Sequence, residues 1–351
     1  MATLPLRAAA CHAAPVFLSA QRTTEKCIHL IHRAARNQAN LVVFPETFLP
    51  AFPLWSALRA PSENHGLFQR MVQESVHADG AEVDEIRAAA KAAHVMVSLG
   101  ISERARSSSG TLWNANLFIG ADGTVLNHHR KLAPTFFEQL TWARGDGQGL
   151  RVLETPFGRI GNLICAHLEL AGRVADEVTL TSACGAAGGG GEMSAKTTAA
   201  RDYDNVAANR TRAAAHCFEA KCFGILSSAF LDQEAIEIAS GGVAHVRETL
   251  EASQRGATMY LDPTGAALPG FTIDASTGEE KRVDFLQDRE DILYADLDLA
   301  ECVEGKQYHD VVGGYQRLDV FDLKVNRVRR EPATFVDKPP ESPGEADVLR
   351  E

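Results

Sequence analysis

Cys165 closes an apolar run formed by Ile160, Leu163 and Ile164, within residues 158–168. Cysteine is among the most buried residue types, so one reading is a small apolar residue ending a buried strand. The other is a nucleophile. At a strand-to-helix turn, backbone N–H groups lower a thiol's pKa and favour the thiolate, the form that attacks carbon. Glu46 and Lys131 occupy comparable places. Glu46 follows the compact apolar run 41–44 in Val43-Phe44-Pro45-Glu46-Thr47-Phe48, and Lys131 lies at the end of the run 125–132. Taken singly, Glu46 reads as a solvated loop carboxylate and Lys131 as a surface lysine. Pro134-Thr135-Phe136-Phe137-Glu138, continuing to Trp142-Ala143-Arg144-Gly145-Asp146-Gly147, is an aromatic and charged loop of the kind that covers a site.

The elements that must position these residues follow from periodicity. Residues 6–13 form a short apolar strand. Cys27, Leu30, Ile31, Ala34 and Ala35 recur on one helical face. Residues 66–93 read as two helices broken near Asp79-Gly80. Strands are predicted over 95–101 and 112–119, and Asp122-Gly123 is a hairpin turn leading into 125–132. A second hairpin joins 151–155 to 160–164 through Pro156-Phe157-Gly158. Further strands fall at 178–182, 223–228, 259–261 and 292–297, with a long helix around 198–221. Strands alternating with helices, with antiparallel hairpins between them, predict mixed sheets covered by helices, an α/β layered fold. The glycine-rich stretch 186–192 reads as a mobile loop; it lacks the Gly-Lys-Ser/Thr ending of a phosphate-binding loop.

Taken together, these stretches resemble the carbon–nitrogen hydrolase superfamily, and within it the nitrilase branch. The resemblance rests on Phe44-Pro45-Glu46, then Arg130-Lys131-Leu132 with Pro134-Thr135 and Glu138, then Cys165 after an apolar strand, in that order. It extends to Phe52-Pro53-Leu54-Trp55, to the stretch 312–320 and to Val325-Asn326, and covers about residues 5–330. It implies an α-β-β-α sandwich and a catalytic triad of Glu46, Lys131 and Cys165. In that assignment Cys165 attacks a nitrile or amide carbon, Glu46 takes the thiol proton, and Lys131 stabilises the negative charge that develops. Glu138 falls on the family's auxiliary carboxylate, which orients the lysine and helps pass protons to departing ammonia. The resemblance also places Glu219 where the family often has a glutamate supporting the lysine region. No cofactor or metal is required, and dimers that stack into spirals are common in the family.

The pattern breaks after the cysteine. Nitrilases usually carry Trp-Glu there; this chain has Ala166-His167. A methyl group in place of an aromatic wall implies an enlarged pocket, which Trp55, Ala166 and His167 are expected to line. Adjacent residues at a sharp turn seldom point at each other, so His167 reads as a pocket or turn-capping residue and not as a partner of Cys165. Strand alternation sends His128 and His129 to opposite faces, against a shared metal. Cys217 and Cys222 read as packing residues at a helix end.

Composition bounds the rest. The chain has 351 residues, 45% hydrophobic and 23% charged, with a formal net charge of −11. No basic face interleaved with aromatics suggests a nucleic-acid partner, and no apolar run is long enough for a bilayer. The seven cysteines match no disulfide or zinc framework, which suits reduced thiols in a cytoplasmic setting. The expected organisation is one hydrolase domain over 1–330 and a disordered Pro/Glu/Asp-rich tail over 331–351. The expected activity is conversion of a nitrile to its acid and ammonia. An amidase or N-acyl hydrolase with the same triad, or a non-catalytic assembly protein, are the alternatives. A homodimer or larger homo-oligomer is expected.

Overall fold

In the first strand, β1 (Leu6–His12), every residue but Arg7 is buried, as a strand must be when both its faces are covered. It lies at the centre of an eight-stranded sheet. β1 pairs in parallel with β2 (Leu41–Val43), which pairs in parallel with β3 (Met96–Arg104). β4 (Leu112–Ile119) and β5 (Val125–Arg130) follow as antiparallel hairpin partners. The second sheet takes β6 (Val152–Thr155), β7 (Gly158–Ile164), β8 (Val178–Ser182), β9 (Phe223–Ser227), β10 (Thr258–Leu261), β11 (Ala267–Leu268) and, beside β10, β14 (Phe285–Leu286). β12 (Gly270–Ile273), β13 (Glu280–Val283) and β15 (Asp291–Leu297) return to the first sheet, where β15 closes the other side of β1. The computed structural model describes residues 5–164, 178–182, 204–311 and 313–329.

Three apolar layers show the α-β-β-α order. Between the sheets lie Leu6, Ala8, Leu41, Val43 and Phe118 from one side and Ile160, Phe223, Ile225 and Tyr260 from the other. Outside the first sheet, Ala9, Val42, Val97 and Leu117 pack against Cys27, Leu30, Ile31 and Ala34 of α1 (Ala20–Arg36) and against Val83, Ile86 and Ala90 of α3 (Ala81–Ala93). Burial of one such aliphatic side chain contributes about 1.5–3 kcal/mol, so this face holds α1 and α3 without help from capping. α2 (His65–Glu74) lies between those helices in sequence and contributes Met71 to a separate apolar cluster. Outside the second sheet, Ala213, Cys217 and Ala220 of α4 (Asn205–Ala220) cover Leu226, Met259 and Leu261.

Several boundaries differ from the expectation. The strand predicted over 125–132 stops at Arg130, so Lys131 is the first residue beyond it. The long helix is described from Asn205 to Ala220; positions 198–203 lie outside the described residues, as do the loop 186–192 and the tail 331–351. Strands β11 to β14 and the short helix after β15 were not foreseen, nor were α5 (Gln233–Ser240) and α6 (Ala244–Ala252), two helices separated by Gly241-Gly242. Each is too short to show a clear period. They hold together by burying Ala235, Ile236, Val246 and Leu250 against Trp55 and its neighbours. A short α7 (Glu301–Lys306) follows β15.

Candidate active site

β2 runs parallel to β3, and β5 runs antiparallel to β4, which is itself antiparallel to β3. The carboxyl ends of β2 and β5 therefore share one edge of the first sheet, and Glu46 and Lys131 lie just past those ends. Glu46 sits in a tight turn in which Thr47 adopts φ 45°, a region that β-branched residues rarely occupy. Gly100 of β3 lies beneath this turn. A Cβ there would collide with Pro45 O and the Thr47 backbone nitrogen, so a side chain would push the Glu46 turn off the sheet.

The Lys131 N–H donates to Asn114 O at 2.8 Å, extending the β4–β5 ladder by one residue. Its carbonyl accepts from Gly145 N–H at 2.9 Å, and Gly145 approaches so closely that a Cβ would meet the Arg130 and Lys131 carbonyls. With its backbone held on both sides, Lys131 directs its side chain inward, where it is 1% exposed. Nζ donates to Glu46 Oε1 at 2.9 Å and to Glu138 Oε1 and Oε2 at 3.0 and 2.7 Å. Both carboxylate side chains are fully buried. Glu138 belongs to the short 3-10 turn Phe136–Leu140, and its Oε2 also accepts from Thr135 N–H at 3.0 Å, the reciprocal capping contact that Thr-x-x-Glu spacing allows.

Two carboxylates around one ammonium leave the buried cluster a negative charge in excess if all are ionised. Burial pushes the Glu138 carboxyl up, Lys131 pulls it back, and the neighbouring Glu46 charge adds to the rise. Glu46 divides its oxygens. Oε1 accepts from Lys131 and from Asn114 Nδ2, the latter at 2.5 Å. Oε2 is buried and has no hydrogen-bond partner among the described residues.

A small apolar pocket opens beside Glu46, lined by Phe17, Phe48, Phe52, Leu54 and Phe230 among others. Phe52 is held edge-on by Phe137 and Trp142, at 6.2 and 5.2 Å between ring centroids. Trp55 is 1% exposed and stands behind this wall, edge-on to Phe17 at 6.0 Å. Cys165, Ala166 and His167 lie outside the described residues; β7 ends at Ile164, the residue before Cys165. Glu46, Lys131 and Glu138 are brought together, so neither the solvated-loop nor the surface reading of Glu46 and Lys131 holds.

The supporting role expected of Glu219 is corrected. Its side chain is half exposed and pairs with His309 at 2.9 Å, because it sits on the outward face of α4. Cys217, on the inner face of that helix, and Cys222, just past its end, are buried, and their mutual hydrogen bond together with burial pushes the Cys217 thiol well up. His129 is buried, whereas His128 is partly exposed and bonds Glu103 at 2.8 Å, as alternation along β5 requires. Sequence reasoning missed the asparagines of β4. Asn114 and Asn116 share the inward face; Asn116 accepts from Asn162 of β7 at 2.5 Å and donates to Ser98 at 3.1 Å. The available signal was two strand-averse residues at i and i+2 in an otherwise apolar strand.

The carbon–nitrogen hydrolase family model matches residues 7–307. The chain belongs to the carbon–nitrogen hydrolase family. It is 30% identical over 354 residues to a nitrilase of Penicillium rubens, covering 95% of this chain and 97% of that protein. It is 34% identical over 324 residues to a nitrilase of Pseudomonas syringae pv. syringae, covering 92% and 90%. These relatives place this family member in the nitrilase branch, among enzymes acting on C–N bonds. The NitFhit protein of C. elegans shares the fold, with TM-score 0.65 at 17% identity over 95% of this chain and 70% of that one.

Proposed function

We propose that the protein hydrolyses a nitrile to its carboxylic acid and ammonia through covalent intermediates on Cys165. The observation that carries this reading is the buried Glu46–Lys131–Glu138 cluster with Glu46 Oε2 left without a partner among the described residues. The nitrilase relatives support a nitrile as substrate. Support for the nucleophile comes from chain order: Cys165 directly follows β7, and Asn162, three residues earlier, bonds Asn116, two residues from Asn114 on β4.

In this mechanism Glu46 Oε2 removes the Cys165 proton and the sulfur adds to the nitrile carbon. The C≡N bond loses one π bond, and the proton passes to nitrogen to give a thioimidate. Lys131 donates to the nitrogen as its charge develops. Water then adds to the carbon, the C–N bond breaks, and ammonia leaves with protons relayed through Glu46 and Glu138, giving a thioester. A second water releases the acid and restores the thiol. Each turnover consumes two waters. The test is ammonia release from a panel of aliphatic, aromatic and arylaceto-nitriles against the matching amides. Cys165→Ala and Cys165→Ser should abolish release with an intact circular dichroism spectrum. Lys131→Ala should lose about 100- to 1,000-fold. Residual turnover by Cys165→Ala, or faster turnover of every amide than of its nitrile, overturns the reading. With Ala166 and His167 as pocket residues, bulky nitriles should be accepted.

The same reading includes a homodimer or larger homo-oligomer. It is supported by the segment 313–329, in which Leu318 is 79%, Phe321 61% and Leu323 60% exposed. Apolar side chains grouped in this way on a surface mark an interaction face.

A further inference from the structure

Asn114 is fully buried on β4, at the sheet edge that carries Glu46 and Lys131. It contacts both. Its Nδ2 donates to Glu46 Oε1 at 2.5 Å, and its carbonyl accepts the Lys131 N–H at 2.8 Å. Its amide orientation is dictated by chemistry: the reverse orientation would set its oxygen against the Glu46 carboxylate. Its Oδ1 is consequently a buried acceptor with no hydrogen-bond partner among the described residues. An orphaned buried acceptor of this kind is destabilising, and a residue serving packing alone would not retain it.

Lys131 Nζ reaches Glu46 through Oε1 and leaves Oε2 alone. A carboxylate beside an ammonium would otherwise be free to rotate and offer either oxygen, or both, to the cation. The amide of Asn114 removes that freedom, because it supplies Oε1 with a second donor and pins the plane of the carboxylate. We infer that Asn114 is a positioning residue: it holds Glu46 so that Oε1 serves the lysine and Oε2 faces the proton to be taken. This rests on the proposed function, since it assigns Glu46 the role of base.

The experiment compares full-length wild type, Asn114→Ala, Asn114→Asp and Glu46→Gln. Two readouts are used: kcat and KM for ammonia release across pH, and the pH dependence of Cys165 alkylation by iodoacetamide, followed by peptide mass spectrometry. Asn114→Ala should lower kcat about 10- to 100-fold with KM within about threefold. Its acid limb should move to higher pH in both readouts, because a carboxylate that loses a donor keeps its proton longer. Asn114→Asp preserves shape, so a packing role makes it the milder change. A positioning role makes it the more damaging one at neutral pH, where two carboxylates face each other, with activity recovering as pH falls and a protonated Asp donates again. If Asn114→Ala fails to fold, the isosteric Asp variant alone decides the matter by that pH response. An Asn114→Ala enzyme with wild-type kcat and unmoved acid limbs, or an Asp variant milder than Ala, overturns the inference. If Glu46→Gln itself leaves turnover and alkylation unchanged, the proposed function fails, and the inference with it.

Discussion

Burial of the thiols sets their reactivity. Cys11, Cys27, Cys217, Cys222 and Cys302 are all buried thiols outside any disulfide. Burial pushes the Cys11 thiol up to about 12 and the Cys27 thiol well above its ordinary range. A protonated, enclosed thiol reacts slowly. A thiol probe at neutral pH should therefore label Cys165 at least about tenfold faster than any of these five, read peptide by peptide by mass spectrometry. Equal labelling of Cys165 and Cys302 would remove the argument for an activated nucleophile. The convergence of Glu46, Lys131 and Glu138 was legible because each lies in a short motif, Glu46 and Lys131 just past strand ends and Glu138 in the turn that follows Lys131. Asn114 was not, because an asparagine inside a strand has no motif; its meaning appears only when β4 is laid beside the Glu46 turn.

Among the elements, strands β1 to β10 and β15 were readable because they are short apolar runs bounded by turn residues, whereas β11 to β14 are two to four residues long, with exposed or half-buried positions in β11, β13 and β14, and were not. α5 and α6 were not, since their apolar faces carry few residues and are defined by the Trp55 cluster they cover. The glycine of β3 was equally silent: nothing in Ser98-Leu99-Gly100-Ile101 shows that another backbone crosses it. Gly100→Ala must displace the Pro45–Thr47 turn. We predict destabilisation by about 1–3 kcal/mol in denaturant titration and at least about a tenfold loss of kcat, since small displacements of a reacting group are costly. Wild-type activity in a folded Gly100→Ala protein would show that the Glu46 turn has room to move.

The whole molecule is tied together near one charged cluster. Burial alone would raise the Glu103 carboxyl, but hydrogen bonds from Arg130 and His128 hold it at about 2, against an ordinary 4.5. Arg130 also lies over the Trp113 ring at 3.6 Å. A carboxyl depressed on folding stabilises above its unfolded pKa, and that stabilisation fades as pH falls from about 4.5 to about 2. The depression corresponds to roughly 3 kcal/mol. Glu103→Gln should flatten the loss of stability across that window in acid titrations followed by circular dichroism, while lowering stability at pH 7. An unchanged acid limb would assign acid unfolding to other groups. Arg329 bonds Asp146 at 2.8 Å, so the segment before residue 330 is anchored to the loop that holds Lys131. Truncation after Pro332 should preserve both activity and oligomer mass in analytical ultracentrifugation. A monomeric truncated protein would give the tail a role in assembly.

β1 draws its two neighbours from distant parts of the chain: Leu41–Val43 on one side and Asp291–Leu297 on the other. On the ribosome the first partner arrives early and the second only when most of the polypeptide has been made. Throughout that interval the nascent sheet carries an open edge, a row of unpaired N–H and C=O groups able to template pairing with another chain. Contacts of such long sequence separation also slow folding. The yield of soluble protein should therefore depend on holdase chaperones and on the speed of translation past residue 291 more than on the stability of the finished fold.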